Sequence, residues 1–341
     1  MDVKRLRKKD SVMIKGLAIM AVITSHMSYI ANIPTQIEKV LHPMGYLGVS
    51  LFLAVSGYGC AASMMKKSEK WQTFFVKRCL KIIPLLALVT IVSVALEFFL
   101  YGNRYNVIEV LLNAIGVSSS IGKFTWYICC QFFWYIVFSF SIRCENKKII
   151  YLVGVGVVYV LSSFSVGNDI VHLDMWGLNC LSFPIGVWFA MNENNISERI
   201  RKNNTKESFQ WQILLFVIFM SLFALCYIVF NNPSNLWVQN LLKSLISASF
   251  VIAIIFGFIV YGEKIETKMC GGVLLYIGGI SYELYLIHGY WIFTLGSFFV
   301  PKSVFKIFIY IMGTLILSVI VHKILIKVST RCQAVRPAKG E

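Results

Sequence analysis

Apolar runs of 19–24 residues recur along the whole chain, with short polar segments between them. A helix needs roughly 20 mainly apolar residues to cross a bilayer, so each run predicts one membrane-spanning helix. The runs are residues 12–30, 43–65, 80–101, 124–142, 148–166, 173–191, 211–231, 238–261, 270–291 and 304–326. The expected fold is an all-α polytopic integral membrane protein, one domain over residues 1–341 built as a bundle of about ten transmembrane helices. Residues 107–121 (VIEVLLNAIGVSSSI) are apolar but short and run into a Ser/Gly stretch, which suits a re-entrant or interfacial helix as well as a span.

Charge decides between those two readings. The chain holds 32 Lys and Arg against 16 Asp and Glu, a formal charge of +16. With ten spans and both termini in the cytoplasm, 25 of the basic residues fall in inside segments and five outside, namely Lys39, Arg104, Lys123, Lys302 and Lys306. An eleventh span at 107–121 inverts every later loop and breaks the positive-inside rule. That segment is therefore assigned to the outer face.

Composition excludes a soluble enzyme. The chain is 57% hydrophobic and 14% charged with a mean hydropathy of +0.72, where soluble domains carry about 25% charged residues. The positive charge reads as an orientation signal and not as a nucleic-acid surface. Nine cysteines without C-x-x-C spacing indicate neither a metal site nor a disulfide framework. The basic N-terminus followed by an apolar run is read as a first span that is retained, not as a cleaved signal.

Ionisable side chains inside a bilayer cost roughly 2.5–3.5 kcal/mol each on insertion scales and mark candidate sites. Lys15 and His26 lie eleven residues apart on the first run, three helical turns and about 20°, so they share a face with a rise of about 16 Å. The plain alternative is a snorkelling lysine and a histidine bonded to a neighbouring helix. Arg78 and Lys81, an i, i+3 pair at the inner mouth of the third run, suit the phosphates of a coenzyme, although topology alone also demands positive charge there. Glu97, at the depth of His26, is placed to orient that imidazole or to sit at the interface beside Arg104. Ser281, Tyr285 and His288 in SYELYLIH fall on one face of the ninth run.

Taken in order, these segments resemble the integral-membrane acyltransferase-3 family, O-acyltransferases of surface polysaccharides and related acceptors. Lys15 and His26 match its opening basic residue and histidine on the first helix. LFLAVSGY (Leu51 to Tyr58) matches its Phe-rich segment ending in Ser-Gly-Tyr. Arg78, Lys81 and Pro84 match its paired basic motif, TWYICCQFFWY its Trp-aromatic segment, and residues 281–288 its Ser-Tyr-x-x-Tyr-x-x-His motif. The resemblance covers residues 10 to about 326. Lysine replaces arginine at Lys15 and Lys81, and Gln131 stands where many relatives carry glutamate. Some relatives also carry a fused extracytoplasmic esterase-like domain, and the resemblance implies the membrane domain alone here.

The resemblance implies transfer of an acyl group, with acetyl expected, from acyl-CoA to a hydroxyl of an exported or lipid-linked glycan at the cell membrane. Capsular or other surface polysaccharide is the first acceptor considered. Lys15, Arg78 and Lys81 are expected to hold the coenzyme phosphates and His26 to act as general base, since an imidazole with an unperturbed pKa of about 6.5 exchanges protons near neutrality. Glu97 or His288 is expected to orient it, and Ser281, Tyr282, Tyr285, His288 and Trp126 to line the acceptor side. No metal is required, and a covalent acyl intermediate on a histidine, serine or tyrosine stays open. The competing classes are a transporter of a glycan or small polar substrate and a non-catalytic membrane partner of a glycan-synthesis complex.

Overall fold

The computed structural model describes residues 6–30, 34–66, 70–144, 146–164, 171–202, 236–295 and 304–334. Every regular element among them is helical. Among the described residues, five helices are long and apolar enough to cross a membrane, and a sixth span of that kind is a pair bent by 66°. The chain is thus a polytopic membrane protein, its described elements all helical.

Three helices form the centre. α1 (Lys8–Ile30) is followed by the short α2 (Thr35–Leu41) and by α3 (Met44–Lys66), which lies between α1 and the later α9. Next come α4 (Trp71–Tyr101), α5 (Val107–Ala114), a single 3-10 turn (Lys123–Thr125), α6 (Trp126–Ser141) and α7 (Lys147–Phe164). α4 stops where Gly102 takes a left-handed conformation (φ 72°) and returns its N–H to the Phe98 carbonyl at 3.0 Å. Asn106 caps α5 through Oδ1, which accepts from the Ile108 N–H at 3.0 Å. The chain continues through α8 (Leu173–Gly177), α9 (Ser182–Met191) and α10 (Glu193–Lys202), then α11 (Leu236–Glu266), α12 (Met269–Gly279), α13 (Ser281–Leu295) and α14 (Val304–Ala334).

With lipid outside, helices gain little from apolar burial against one another and associate through close packing at small residues. That is how the centre is built. A methyl group on Gly57 would strike the Phe183 carbonyl oxygen of α9, and one on Gly186 would strike the Ala54 carbonyl oxygen of α3. α1 meets α12 in the same way, with Gly16 against the Leu274 carbonyl and Gly278 against the Val12 carbonyl. α4 and α14 instead expose Leu88, Ile91, Phe99, Ile316, Ile320 and Ile324, a surface suited to acyl chains. At the N-terminal end of α1, buried Asp10 pairs with Arg7 at 2.7 Å, and Arg7 and Lys9 reach Glu266 at the end of α11 at 2.9 and 2.5 Å.

Two predicted spans are interrupted. The run 173–191 is two helices, because Asn179 turns inward at the break, fully buried, with its Oδ1 2.6 Å from Ser50 Oγ and its Nδ2 donating to the Met175 carbonyl. The run 270–291 bends by 66° between α12 and α13, directly after the weak helix formers Gly278 and Gly279. α4 begins nine residues before its predicted start, so Arg78 and Lys81 sit within a helix. α6 and α7 are apolar but have only 16 and 18 residues. Residues 107–121 form the eight-residue α5 and then a turn at Gly116 (φ 76°). The predicted span 211–231 lies outside the described residues.

Candidate active site

A cavity of about 780 Å³ opens at the end of the bundle that carries the start of α1. Lys8 and Lys15 from α1, Lys66 from α3, and Arg78 and Lys81 from α4 all line it, and Glu193 of α10 is the acidic group on its wall. Lys15 feels Arg78 and Lys81 as neighbouring charges. The Arg78 guanidinium lies over the Phe74 ring, 5.1 Å from its centroid, and reaches the Gly59 carbonyl at 3.5 Å. The Tyr58 hydroxyl of the Ser-Gly-Tyr segment donates to Glu193 Oε1 at 2.5 Å. Five cations facing one opening leave an excess of positive charge that suits a polyanionic ligand.

The inner end of the cavity is aromatic. Phe52, Tyr127 and Tyr285 line it, with ring centroids 5.8 Å apart for Phe52 and Tyr127, 6.4 Å for Phe52 and Tyr285, and 5.3 Å for Tyr127 and Tyr285. Ser281 and Tyr282 lie on the same wall, and Tyr282 donates to the Ile82 carbonyl of α4 at 2.7 Å. Tyr285 donates to the Phe124 carbonyl and touches His288 with its ring, at a centroid distance of 5.8 Å.

Behind this layer the two predicted histidines meet. His26 Nδ1 and His288 Nε2 are 2.9 Å apart, and the rings lie 21° from parallel, edge to edge. His288 is fully buried, whereas His26 keeps part of its surface open. Their protonation follows from one fixed group. His288 Nδ1 is 2.7 Å from the Leu284 carbonyl, which can only accept, so Nδ1 carries the proton and Nε2 the lone pair. Nδ1 of His26 must then be the donor between the rings, and the lone pair of a neutral His26 is on Nε2. The Tyr310 hydroxyl of α14 donates to the His288 carbonyl at 3.0 Å and holds that turn from the other side.

The remaining predicted residues sit elsewhere. Glu97 is buried near the far end of α4 and accepts from the Tyr105 hydroxyl and from Asn103 Nδ2 at 3.5 Å, a bond to the loop that follows its own helix. Burial, then the bond to this carboxylate, pushes the Tyr105 hydroxyl above its ordinary range. Trp126 is buried in the core at the start of α6 and does not line the cavity. Sequence reasoning missed Glu193, and it named Gln131 only as a departure from the family's glutamate, without the chain of neutral groups that joins it to Tyr127, Ser56 and Tyr135. Its signal was available: residues 127, 131 and 135 recur at i, i+4 and i+8 on one face of α6.

Residues 13–323 match the acyltransferase-3 family, described as an acyltransferase domain. Among curated proteins, the chain is 21% identical to proteins of Staphylococcus aureus strains COL, MSSA476 and N315 that are provisionally named O-acetyltransferases, over 81% of this chain and 49% of each of theirs. It spans about half the length of these relatives. No solved structure matches.

Proposed function

The chain belongs to the acyltransferase-3 family, and on that premise we propose that it is an acyltransferase that moves an acyl group, acetyl first among the candidates, from acyl-CoA to a hydroxyl of an exported or lipid-linked glycan such as capsular polysaccharide. One observation carries this reading: a cation-lined cavity runs toward a histidine pair whose base nitrogen is set by a backbone carbonyl. Ten spans with both termini in the cytoplasm of a cell membrane put the basic opening on the side where acyl-CoA is made. α6, α7 and the α8–α9 pair add three spans to the six above, and the tenth expected run, 211–231, lies outside the described residues.

In the proposed step, Lys15, Arg78 and Lys81 hold the coenzyme phosphates. His26 Nε2 takes the proton of the acceptor hydroxyl as its oxygen attacks the thioester carbonyl. The carbon–sulfur bond breaks, the thiolate recovers the proton from the imidazolium, and the products are an O-acyl ester and the free thiol of CoA. His288 keeps the His26 lone pair on Nε2. The Phe52–Tyr127–Tyr285 layer separates the cavity from the pair, so the thioester reaches His26 when that layer parts.

The reading is tested by NMR of surface glycan from a deletion strain complemented with wild type, Lys15→Ala or His26→Ala at equal membrane expression. Return of O-acetyl signals with wild type alone supports it. Full return with His26→Ala removes the general base, and an unchanged glycan in the deletion strain removes the acceptor.

A further inference from the structure

Three hydrogen bonds join four side chains along the cavity wall: Tyr127 hydroxyl to Gln131 Oε1 (3.2 Å), Gln131 Nε2 to Ser56 Oγ (2.9 Å), and Ser56 Oγ to Tyr135 Oη (3.1 Å). Tyr127, Ser56 and Tyr135 line the cavity, and Gln131 is buried behind them. The proton count is fixed whichever way the amide is turned. An amide between two hydroxyls gives a hydrogen to one and accepts from the other, so it supplies one of the three bonding hydrogens. The three hydroxyls own three and supply two. One hydroxyl hydrogen is left over, and in the orientation above it belongs to the Ser56–Tyr135 pair. The Cys60 thiol beside Ser56 is too weak an acceptor to compete for it.

We propose that this relay is a subsite for the pantetheine arm of the coenzyme, in which the spare hydroxyl hydrogen is donated to an amide carbonyl of the arm. The assignment rests on acyl-CoA being the donor. The placement fits. Tyr127 belongs to the aromatic layer, and Tyr135, eight residues and about 12 Å further along α6, is near enough to Arg78 to feel its charge. The relay therefore runs between the cations that suit phosphates and the layer that faces the histidine pair. The neutral, amide-bearing part of the coenzyme lies between its phosphates and its sulfur. Gln131 is the specificity element. A carboxylate at this position accepts from both neighbours, the hydroxyls then supply all three hydrogens, and none is left for a ligand.

The test is calorimetric titration of purified protein in detergent with CoA and with adenosine 3′,5′-bisphosphate, which has phosphates and adenine but no arm. Gln131→Glu is expected to weaken CoA about fivefold more than it weakens the bisphosphate. Gln131→Met, which frees hydroxyl hydrogens, is expected to keep CoA binding. If Gln131→Glu does not fold, the Ser56→Ala/Tyr135→Phe pair replaces it, with the same selective loss of CoA affinity. Equal weakening of both ligands, or no weakening of CoA, overturns the subsite and leaves the donor reading standing. Failure of wild-type protein to bind CoA overturns the donor reading and the subsite with it.

Discussion

The basic cavity and the histidine pair lie one aromatic layer apart and are built on opposite principles. The cavity is wide and lined by five flexible cations from three helices, with Glu193 as the acidic group on its wall. Each cation adds an increment of attraction, and no single geometry is needed. The histidine pair is narrow, and it is fixed by a chain of single hydrogen bonds from Leu284 through His288 to His26. Removing a link there changes which nitrogen carries the proton. Binding in this molecule is therefore expected to be graded under mutation and salt, and chemistry to be all or none.

The sharpest test of that contrast is His26→Ala, expected to lower turnover by at least about 100-fold while CoA affinity, read by calorimetry, stays put. Loss of binding as well would break the division between the two regions. Next in size is Arg78→Ala, expected to raise the KM for acyl-CoA roughly tenfold or more, as for a charged hydrogen-bonding group, with turnover held. In wild type, the same affinity should fall as salt rises. Tyr310→Phe removes the bond to the His288 carbonyl and should cost about 1 kcal/mol, seen as a several-fold fall in kcat with little change in KM. Smallest is Lys81→Arg. If charge alone matters at the cavity, affinity changes little; a large effect would mean that side-chain geometry matters there too.

Much of this was legible in the sequence because charge is conspicuous in an apolar chain. Lys15, Arg78 and Lys81 stand out against hydrophobic runs, and the structure brings them to one wall. His26 and His288 stand out in the same way, but one chain of letters cannot say that residues 262 apart put their imidazoles edge to edge. The breaks were illegible for a different reason. Hydropathy averages over a window, and one buried Asn179 or two glycines before Ile280 barely move the mean, though they end helices by offering or losing hydrogen bonds. The relay through Gln131 was missed because neutral amides and hydroxyls carry no charge signal, and only the i, i+4, i+8 spacing of Tyr127, Gln131 and Tyr135 pointed to it. Glu97 was chosen by depth alone, and its hydrogen bonds run sideways to Tyr105 and Asn103.

The backbone contacts at Gly16, Gly48, Gly57, Gly186 and Gly278, with Gly48 of α3 against the Ala18 carbonyl of α1, fix which helices can move. A helix that touches its neighbour through its own carbonyls cannot roll or slide without a collision, so α1, α3, α9 and α12 behave as one stator. α13 meets α4 through long side chains instead, Tyr282 to the Ile82 carbonyl and Tyr290 to Thr90 at 2.9 Å, and such contacts can be re-formed after a displacement. Any opening of the aromatic layer therefore falls to its side chains outside that block, Tyr127 on α6 and Tyr285 on α13, while Phe52 stays with α3 and His26 stays where α1 holds it.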